Sequence, residues 1–460
     1  MRPRHLEAPG RRNRPASAEG GPIPTAAARS VDVSPASLII EPLAVKPDAV
    51  VPIPGSKSHT NRALVCAALA GGTSTLDGVL FAADTEAMMR ALAALGVGID
   101  TDRLQRRVVV DGGIDRLRPG PRQLDLAQSG TTSRFLAAVA TLGPGPYVLD
   151  GDEQLRARPF GPLVAALRSL GADIDGEHLP LRIAGGGIRC GRIDVSGSVS
   201  SQFLSGLLLA APGATAPGAS GEAEVEIVLS DELVSKPYVD LTIATMAAFG
   251  ADVNNERYQR FSVAPQPYRP QTVPIEPDAS AASYFFAAAA ITGGRIRVEG
   301  LGRHTVQGDL GFVDILDRMG ATVRRGDDWT EVIGSGHLNG VDVDLSDMSD
   351  TAQTLAVTAS FATSPTRVRG IDFIKNKEID RVAAVVEELT ARGIRAERTP
   401  GGFTIYPGSP SPGTVRTRDD HRMAMSFALL GLVHPGIRLD DPDCVGKTFP
   451  NFFAVLDRLR

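Results

Sequence analysis

Apolar and polar residues along this chain follow a pattern that recurs six times. Each copy begins with Ser or Asp, continues through a stretch rich in small apolar residues, and ends in a short turn and a strand-like run. A period this regular indicates an architecture of repeated units. The starts lie 70 to 80 residues apart, at Ser56, Ser129, Ser200, Ser280, Asp350 and Asp420.

The small apolar stretches, such as LVCAALAGG and YFFAAAAI, have no polar face. A helix that is apolar on all sides is buried, so each repeat is expected to contribute one interior helix. Repeats that cannot bury their faces alone pack on each other. Six copies in one chain therefore suggest two groups of three, each enclosing a bundle of helices.

A second, amphipathic helix follows in each of the first five repeats and stops at a glycine, which is the usual left-handed end of a helix. We therefore predict an α/β fold of two similar domains, each built from three repeats around buried helices. Residues 38–55 and 276–460 should form one domain and residues 56–275 an inserted one, because 263–277 is rich in proline. The five glycines are Gly96, Gly171, Gly250, Gly320 and Gly393.

Composition narrows the class of protein. A net charge of −5 argues against a nucleic-acid partner, because such proteins carry a basic excess. Three widely separated cysteines without a CxxC pair fit a reducing cytoplasm, and we expect a cytoplasmic protein. No apolar run reaches the roughly 18 residues that span a membrane. Residues 1–37 are rich in Pro, Ala, Gly and Arg and should form a disordered extension, with an organelle transit peptide as the alternative.

Basic and hydroxyl side chains gather where the repeated helices begin. Lys57 and Arg62 follow Ser56, Gly130 follows Ser129, and Arg422 follows Asp420. Helix N-termini carry unpaired N–H groups and a partial positive charge, so they attract anions. Each residue alone has a simpler explanation as a cap, a turn or a solvated charge. Their recurrence at equivalent points of different repeats instead predicts an anion site in a cleft between the domains.

Several segments resemble the 5-enolpyruvylshikimate-3-phosphate synthase family, from about residue 38 to the C-terminus. The family fold, sometimes described as an inside-out α/β barrel, has two domains of three βαβαββ units that close over the substrates. The resemblance implies a transfer of the enolpyruvyl group of phosphoenolpyruvate to the 5-hydroxyl of shikimate 3-phosphate, with release of phosphate and without a metal or organic cofactor. The matching segments include PGSKSHTNRAL, QSGTTSRFL, RARP, SVSSQFLSGLLLAAP, SKPYVD, DMSDTAQTLAV, NKEIDR, DDHRMAMS and GKTFPNFF.

The resemblance also assigns residues. Glu378 is expected as the acid and base at C3 of phosphoenolpyruvate, and Asp350 as the base or orienting group for the hydroxyl, a role that Lys57 could share. The shikimate 3-phosphate contacts would be Lys57, Ser58, Arg62, Ser200, Ser201, Gln202, Ser235, Tyr238, Asp350 and Lys377. The phosphoenolpyruvate contacts would be Lys57, Gly130, Arg158, Gln202, Glu378, Arg381, His421, Arg422 and Lys447.

One departure and three alternatives stay open at this point. Phe373 stands where some members carry Asn, and Asn376 lies nearby, so one polar contact to shikimate 3-phosphate is in doubt. UDP-N-acetylglucosamine enolpyruvyl transferase is the nearest alternative, although it usually has a loop cysteine that is absent near LRARP. A metabolite-binding protein without catalysis would not need Asp350 and Glu378, and a ligand-free repeat protein would not need the clustered cations. We expect a monomer.

Overall fold

The computed structural model describes residues 37–216 and 223–460. The extension predicted for residues 1–37 lies outside the described residues, apart from Ser37. Within the described ranges the chain alternates helices and strands, and the predicted α/β fold class is confirmed.

The helices alternate between buried and amphipathic, as the two sequence patterns predicted. The first helix of each repeat is almost wholly buried; in α8, for example, twelve of the fourteen residues are buried. The α-helices of the described residues are α1 (Lys57–Leu69), α2 (Ala83–Leu95), α3 (Gly130–Val139), α4 (Glu153–Arg156), α5 (Gly161–Ser169), α6 (Ser201–Ala210), α7 (Lys236–Ala248), α8 (Ala279–Thr292), α9 (Phe312–Met319), α10 (Ala352–Ala359), α11 (Arg381–Ala391), α12 (His421–Gly431) and α13 (Phe452–Leu456).

The strands are short and most have one buried face. In the strand 107–112, Val108 and Val110 are buried while Val109 and Asp111 are partly exposed, which is the period of two expected of a half-buried strand. The strands are β1 (Leu38–Ile40), β2 (Asp48–Val50), β3 (Gly72–Asp77), β4 (Gly98–Asp102), β5 (Arg107–Gly112), β6 (Arg122–Asp125), β7 (Tyr147–Asp150), β8 (Asp173–Asp175), β9 (Leu181–Gly185), β10 (Gly191–Val195), β11 (Val225–Leu229), β12 (Asn254–Glu256), β13 (Arg260–Val263), β14 (Thr272–Pro274), β15 (Arg295–Glu299), β16 (Thr322–Arg325), β17 (Trp329–Ile333), β18 (Asp342–Asp344), β19 (Thr366–Arg369), β20 (Ala396–Thr399), β21 (Gly402–Ile405), β22 (Gly413–Val415) and β23 (Ile437–Leu439).

The sheets repeat one topology. In the order β6-β7-β9-β8, the first two strands are parallel and are joined through α3, while α5 leads into the antiparallel pair β8 and β9. The same βαβαββ order recurs in the sheets β10-β11-β13-β12 and β18-β19-β21-β20. None of the sheets among the described residues closes into a barrel; they are six separate open sheets.

In three sheets, one strand comes from a distant part of the chain. Strand β14 pairs with β3, and β2 pairs with β15, both in parallel. Strand β1 pairs with β23 in antiparallel register, with Leu38 opposite Leu439. Strands β2 and β14 lie just before the predicted domain boundaries at residues 55–56 and 275–276.

Buried apolar residues form two separate cores. Core 1 runs from Ala63 to Ile275, and core 2 combines Ile40, Val51 and Ile53 with residues 279–459. Helices α1, α3 and α6 pack on one another in core 1, and α8, α10 and α12 do so in core 2. The proposed domain boundaries remain a prediction.

The predicted helix starts differ from the structure at two repeats. Helix α8 begins at Ala279 with Asp278 as its cap, because the Asp278 carboxylate accepts a hydrogen bond from the N–H of Ala281. Asp350 lies in a single 3-10 turn that precedes α10 rather than at an α-helical cap. The other four starts cap their helices, and the five predicted stop glycines all have φ between 78° and 111°.

Candidate active site

A cleft between core 1 and core 2 receives side chains from the starts of helices on both sides. It contains about 720 Å³ of empty space, part of which is open to solvent. Core 1 contributes the first residues of α1, α3 and α6. Core 2 contributes the 3-10 turn at Asp350, the segment that leads into α11, and Arg422 near the start of α12.

Cations outnumber carboxylates in this cleft. Six cationic side chains line it. A seventh, Lys447, lies just outside the lining, and its Nζ is 3.2 Å from the Glu378 carboxylate. Among the described residues, the carboxylates that pair with these cations are Asp84, Asp350, Glu378 and Asp420. The excess positive charge favours a multiply charged anion. The six lining cations are Lys57, Arg134, Arg158, Lys377, Arg381 and Arg422.

Arg381 ties the carboxylates of core 2 together. Its guanidinium lies 2.7 Å from Glu378, 2.8 Å from Asp420 and 3.3 Å from Asp350, and the residue is 2% exposed. The planar fork of an Arg side chain suits this multiple pairing. The guanidinium therefore fixes the positions of the two carboxylates for which sequence analysis predicted catalytic roles.

The charges around Asp350 and Glu378 keep both carboxylates ionised. Burial alone would raise the pKa of Asp350, but the charges of Arg422, Lys377 and Arg381 outweigh it and hold that pKa well below its usual range. Burial is likewise outweighed at Glu378 by Arg381, Lys447 and Arg158, so the pKa of Glu378 is also well below its usual range.

Several buried donors at the cleft have no hydrogen-bond partner in the described structure. They include Nε and one terminal nitrogen of Arg158, and Nε of Arg422. A buried donor left unpaired is costly, so these groups favour binding of an acceptor-rich ligand. Both ring nitrogens of His421 also lack a hydrogen-bond partner, and burial followed by the charge of Arg422 lowers the pKa of His421 well below its usual range. This imidazole is neutral.

Gly130 brings the backbone of α3 close to two of these cations. A Cβ atom at this position would lie 2.6 Å from a terminal nitrogen of Arg158 and 3.2 Å from one of Arg134. A side chain at this position would displace the Arg158 guanidinium, so the glycine keeps the N-terminus of the helix open to a ligand.

Ser235 is held in an unusual backbone conformation at the edge of the cleft. Its φ of 55° lies in the left-handed region, which costs a non-glycine residue about 1–2 kcal/mol. The N–H of Ser235 donates to the carbonyl of Ser346, 3.0 Å away across the cleft. This bond holds the start of α7 against core 2.

Most of the predicted site residues lie together. The lining includes Lys57, Gly130, Arg158, Ser200, Ser201, Gln202, Ser235, Asp350, Lys377, Glu378, Arg381 and Arg422. Ser58 and Tyr238 instead line a smaller adjoining cavity, and His421 is fully buried behind the lining. Arg62 is also buried and donates to Thr242 and to the carbonyls of Ser58 and Tyr238, so its guanidinium is engaged in core 1.

Several residues of the cleft were not assigned from the sequence. Asp84 pairs with Lys57 at 3.4 Å. It lies at the start of α2, one of the amphipathic helices that end at a glycine, and none of the family segments includes it. Arg134 lies within the family segment QSGTTSRFL but was not assigned to either substrate. Phe373 and Asn376, which mark the departure from the family pattern, both line the cleft.

The match to a family model settles the relationship of the chain to known proteins. The model for EPSP synthase (3-phosphoshikimate 1-carboxyvinyltransferase) matches residues 45–456. The chain belongs to the EPSP synthase family. The resemblance inferred from the motifs is thus confirmed.

Relatives and solved structures agree with membership in the EPSP synthase family. The chain is 42% identical to a 3-phosphoshikimate 1-carboxyvinyltransferase of Trichormus variabilis, over 88% of this chain and 95% of that protein. It is 44% identical to one of Yersinia pseudotuberculosis, over 92% and 98%. An EPSP synthase structure from Acinetobacter baumannii superposes with a TM-score of 0.76 at 27% identity, covering 92% of this chain and 97% of that one. The enolpyruvyl transferase NikO from Streptomyces tendae shares the fold, with a TM-score of 0.74 at 20% identity, covering 92% and 97%.

Proposed function

We propose that this cleft transfers the enolpyruvyl group of phosphoenolpyruvate to the 5-hydroxyl of shikimate 3-phosphate and releases phosphate. Membership in the EPSP synthase family supports the reaction. The observation that carries the proposal for this site is the ring of cations around Asp350 and Glu378. Both substrates are multiply charged anions, and their repulsion is strongest in a desolvated cleft. Cations from both cores offset that repulsion.

Shikimate 3-phosphate would lie against core 1 and Lys377. The hydroxyls of Ser200, Ser201 and Ser235 and the start of α6 suit its phosphate, because hydroxyls and helix N–H groups are good phosphate donors. Asp350 would face the ring hydroxyls. We retain Ser58, Arg62 and Tyr238 as supports for this subsite, since they lie in and around the adjoining cavity.

Phosphoenolpyruvate would lie between Gly130 and the arginines of core 2. Arg158, Arg381, Arg422 and Lys447 supply charged donors for its carboxylate and phosphate. The absence of a side chain at Gly130 lets the Arg158 guanidinium lie close to the start of α3. Lys57 and Gln202 line the cleft between the two proposed subsites. The neutral imidazole of His421 is buried next to Arg422 and would stabilise the position of this cationic side.

The reaction adds the hydroxyl oxygen to C2 while C3 takes a proton, and the tetrahedral intermediate then loses phosphate and a proton from C3. We assign the C3 proton transfers to Glu378 and the hydroxyl proton to Asp350, with Lys57 beside it. Phosphoenolpyruvate would pair with Arg158, Arg381 and Lys447. That pairing weakens their effect on Glu378 and raises its pKa toward the range of a proton donor.

Phosphate release tests the function directly. The enzyme is mixed with shikimate 3-phosphate and phosphoenolpyruvate together, with each alone, and with phosphoenolpyruvate plus UDP-N-acetylglucosamine. We expect phosphate release only in the mixture that contains both shikimate 3-phosphate and phosphoenolpyruvate. Release only with the UDP-sugar would assign the chain to the other transferase, and no release with any pair would refute the catalytic proposal.

Two isosteric variants test the catalytic assignments. Glu378→Gln and Asp350→Asn should each lower kcat by about a hundredfold or more, which is the usual loss when general acid–base catalysis is removed. Binding of shikimate 3-phosphate, measured by calorimetry, should persist in Glu378→Gln. Near-normal turnover in either variant would withdraw its assignment.

The finer expectations about the whole molecule belong to the same proposal. Among the described residues, no helix is long and apolar enough to cross a membrane. We propose a cytoplasmic monomer of two domains, 38–55 with 276–460 and 56–275, whose closure brings the substrate contacts together. Light scattering coupled to gel filtration tests the monomer, and a mass of twice 48.3 kDa would overturn it.

A further inference from the structure

A chain of hydrogen-bonding groups leads away from Asp350 into the protein. The phenol of Tyr238, on α7, reaches from core 1 to two carboxylates of core 2. Its O–H is placed to donate to Oδ2 of Asp309 at 2.9 Å, and its oxygen lies 3.2 Å from Oδ2 of Asp350. The hydroxyl of Ser280, at the start of α8, also donates to Oδ2 of Asp309. Neither the family motifs nor the repeat pattern marked Asp309.

The two carboxylates on this phenol have opposite surroundings. Asp350 lies 2.6 Å from Arg422 and 3.3 Å from Arg381, with Lys377 at 4.0 Å. Asp309 is 4% exposed, makes no ion pair within 4.0 Å among the described residues, and has no hydrogen-bond partner at Oδ1. Burial, followed by the charge of Asp350, raises the pKa of Asp309 to about 6. Of the two, Asp309 is therefore the better proton acceptor.

This difference matters for the base proposed above. A carboxylate that three cations keep ionised binds a proton weakly, so Asp350 can take the hydroxyl proton but cannot hold it well. Tyr238 stays protonated, because burial and the charges of Asp309 and Asp350 raise its pKa well above the usual value. A neutral phenol between a weak and a strong acceptor can pass a proton without becoming a free phenolate.

We propose that Asp309 is a positioning residue that stores the proton taken by Asp350 from the acceptor hydroxyl, receiving it through Tyr238. The inference rests on the proposed function. In the addition step, the substrate O–H bond breaks and an O–H bond forms on Asp350. That group donates to the phenol oxygen as the phenol proton moves to Asp309. In the elimination step the movements reverse, and the departing phosphate takes the proton. One proton is displaced and returned in each turnover.

The proton store has a defined pH dependence. The groups that face Asp309 are Tyr238 from α7, Ser280 from α8, Asp350 from its 3-10 turn and Arg422 from α12, and Asp278 lines the adjoining cavity. Asp309 can accept a proton only when it is ionised, so turnover should rise as pH rises through its pKa. The Ser280 hydroxyl stabilises the ionised form, and its removal should raise the pKa of Asp309.

The test is the pH profile of kcat for phosphate release between pH 5 and 9, at saturating concentrations of both substrates. Asp309→Asn should lower kcat at pH 8 by about tenfold to a hundredfold and lose the acidic limb that belongs to Asp309. Ser280→Ala should keep a normal rate at high pH and move that limb to higher pH. Substrate phosphates also titrate near pH 6, but they do so equally in all three proteins.

Each possible result decides the inference. Asp309→Asn with a wild-type rate and profile would overturn it, as would an acidic limb that stays in place in Ser280→Ala. Thermal unfolding and calorimetric binding of shikimate 3-phosphate identify a misfolded Asp309→Asn protein. In that case the inference is decided by the position of the acidic limb in the pH profile of Ser280→Ala. Absence of phosphate release from the wild-type protein would refute the proposed function instead, before either variant is compared.

Discussion

Replacement of Gly130 by alanine tests the proposed phosphoenolpyruvate subsite with a single methyl group. Gly130 is the first residue of α3, and its φ is not in the left-handed region, so alanine fits the backbone without strain. Alanine also has a higher helix propensity than glycine. The folded protein should therefore be as stable as the wild type or slightly more stable. Any loss of function must then come from the space that the methyl group occupies.

The structure sets the size of the effect. The new Cβ would lie 2.6 Å from a terminal nitrogen of Arg158. Because non-bonded heavy atoms prefer a separation of roughly 3.5 Å, the guanidinium must retreat by about 0.9 Å. A charge-assisted hydrogen bond to substrate contributes about 1.5–3 kcal/mol, and each 1.4 kcal/mol is a factor of ten. We expect the KM for phosphoenolpyruvate to rise by about ten- to a hundredfold.

The assay compares Gly130→Ala with a matched control. Gly161 is the first residue of α5 and does not line the cleft, and a Cβ there would meet no atom within 4 Å. Gly161→Ala therefore makes the same chemical change without a contact to the cleft cations. Steady-state phosphate release gives KM for each substrate, and thermal unfolding checks the fold. A normal KM for phosphoenolpyruvate in Gly130→Ala, or an equal increase in Gly161→Ala, would refute the reasoning.

Two further predictions concern stability. Arg381→Ala removes a buried cation shared by three carboxylates, of which Asp420 is fully buried, and should lower the free energy of unfolding by about 3–5 kcal/mol, measured by urea denaturation. Arg325→Ala, which breaks an exposed pair with Asp314, should cost at most about 1 kcal/mol, and equal losses would contradict the comparison. Burial, followed by the charge of Arg62, lowers the pKa of His59 from 6.5 to about 4. Below pH 6.5 the unfolded chain therefore binds a proton that the folded chain does not, and stability is lost as pH falls. The wild type should lose about 2 kcal/mol more than His59→Gln between pH 7 and pH 5, and parallel losses would contradict this.

Local patterns predicted the repeated fold well. The small-residue stretches became the buried helices of two cores, and the five glycines that were expected to end helices all adopt positive φ. These features are decided by residues close in sequence, because helix periodicity and the steric freedom of glycine act over one or two turns. The start of α8 was placed two residues late for the same reason: Asp278 was overlooked as the cap.

The pairings between strands that are distant in the chain were not predicted from the sequence. The pairing of β14 with β3 depends on residues nearly 200 positions apart. A three-residue strand such as β14 carries no periodic signal of its own, so its partner is chosen by the packing of the sheets and not by local preference.

The cations and hydroxyls at the helix starts can be predicted from the sequence, and the motifs identify the family. How those groups act on one another depends on the tertiary structure. Asp350 and Asp309 are chemically identical side chains, yet the pKa of one lies far below its usual range and that of the other is about 6. The difference arises because Arg422 and Arg381 pair with Asp350 from distant parts of the chain. Asp309 is buried, and among the described residues no cation lies within 4.0 Å of its carboxylate. Electrostatic energy depends on distance and burial in space, and spacing along the chain does not specify either.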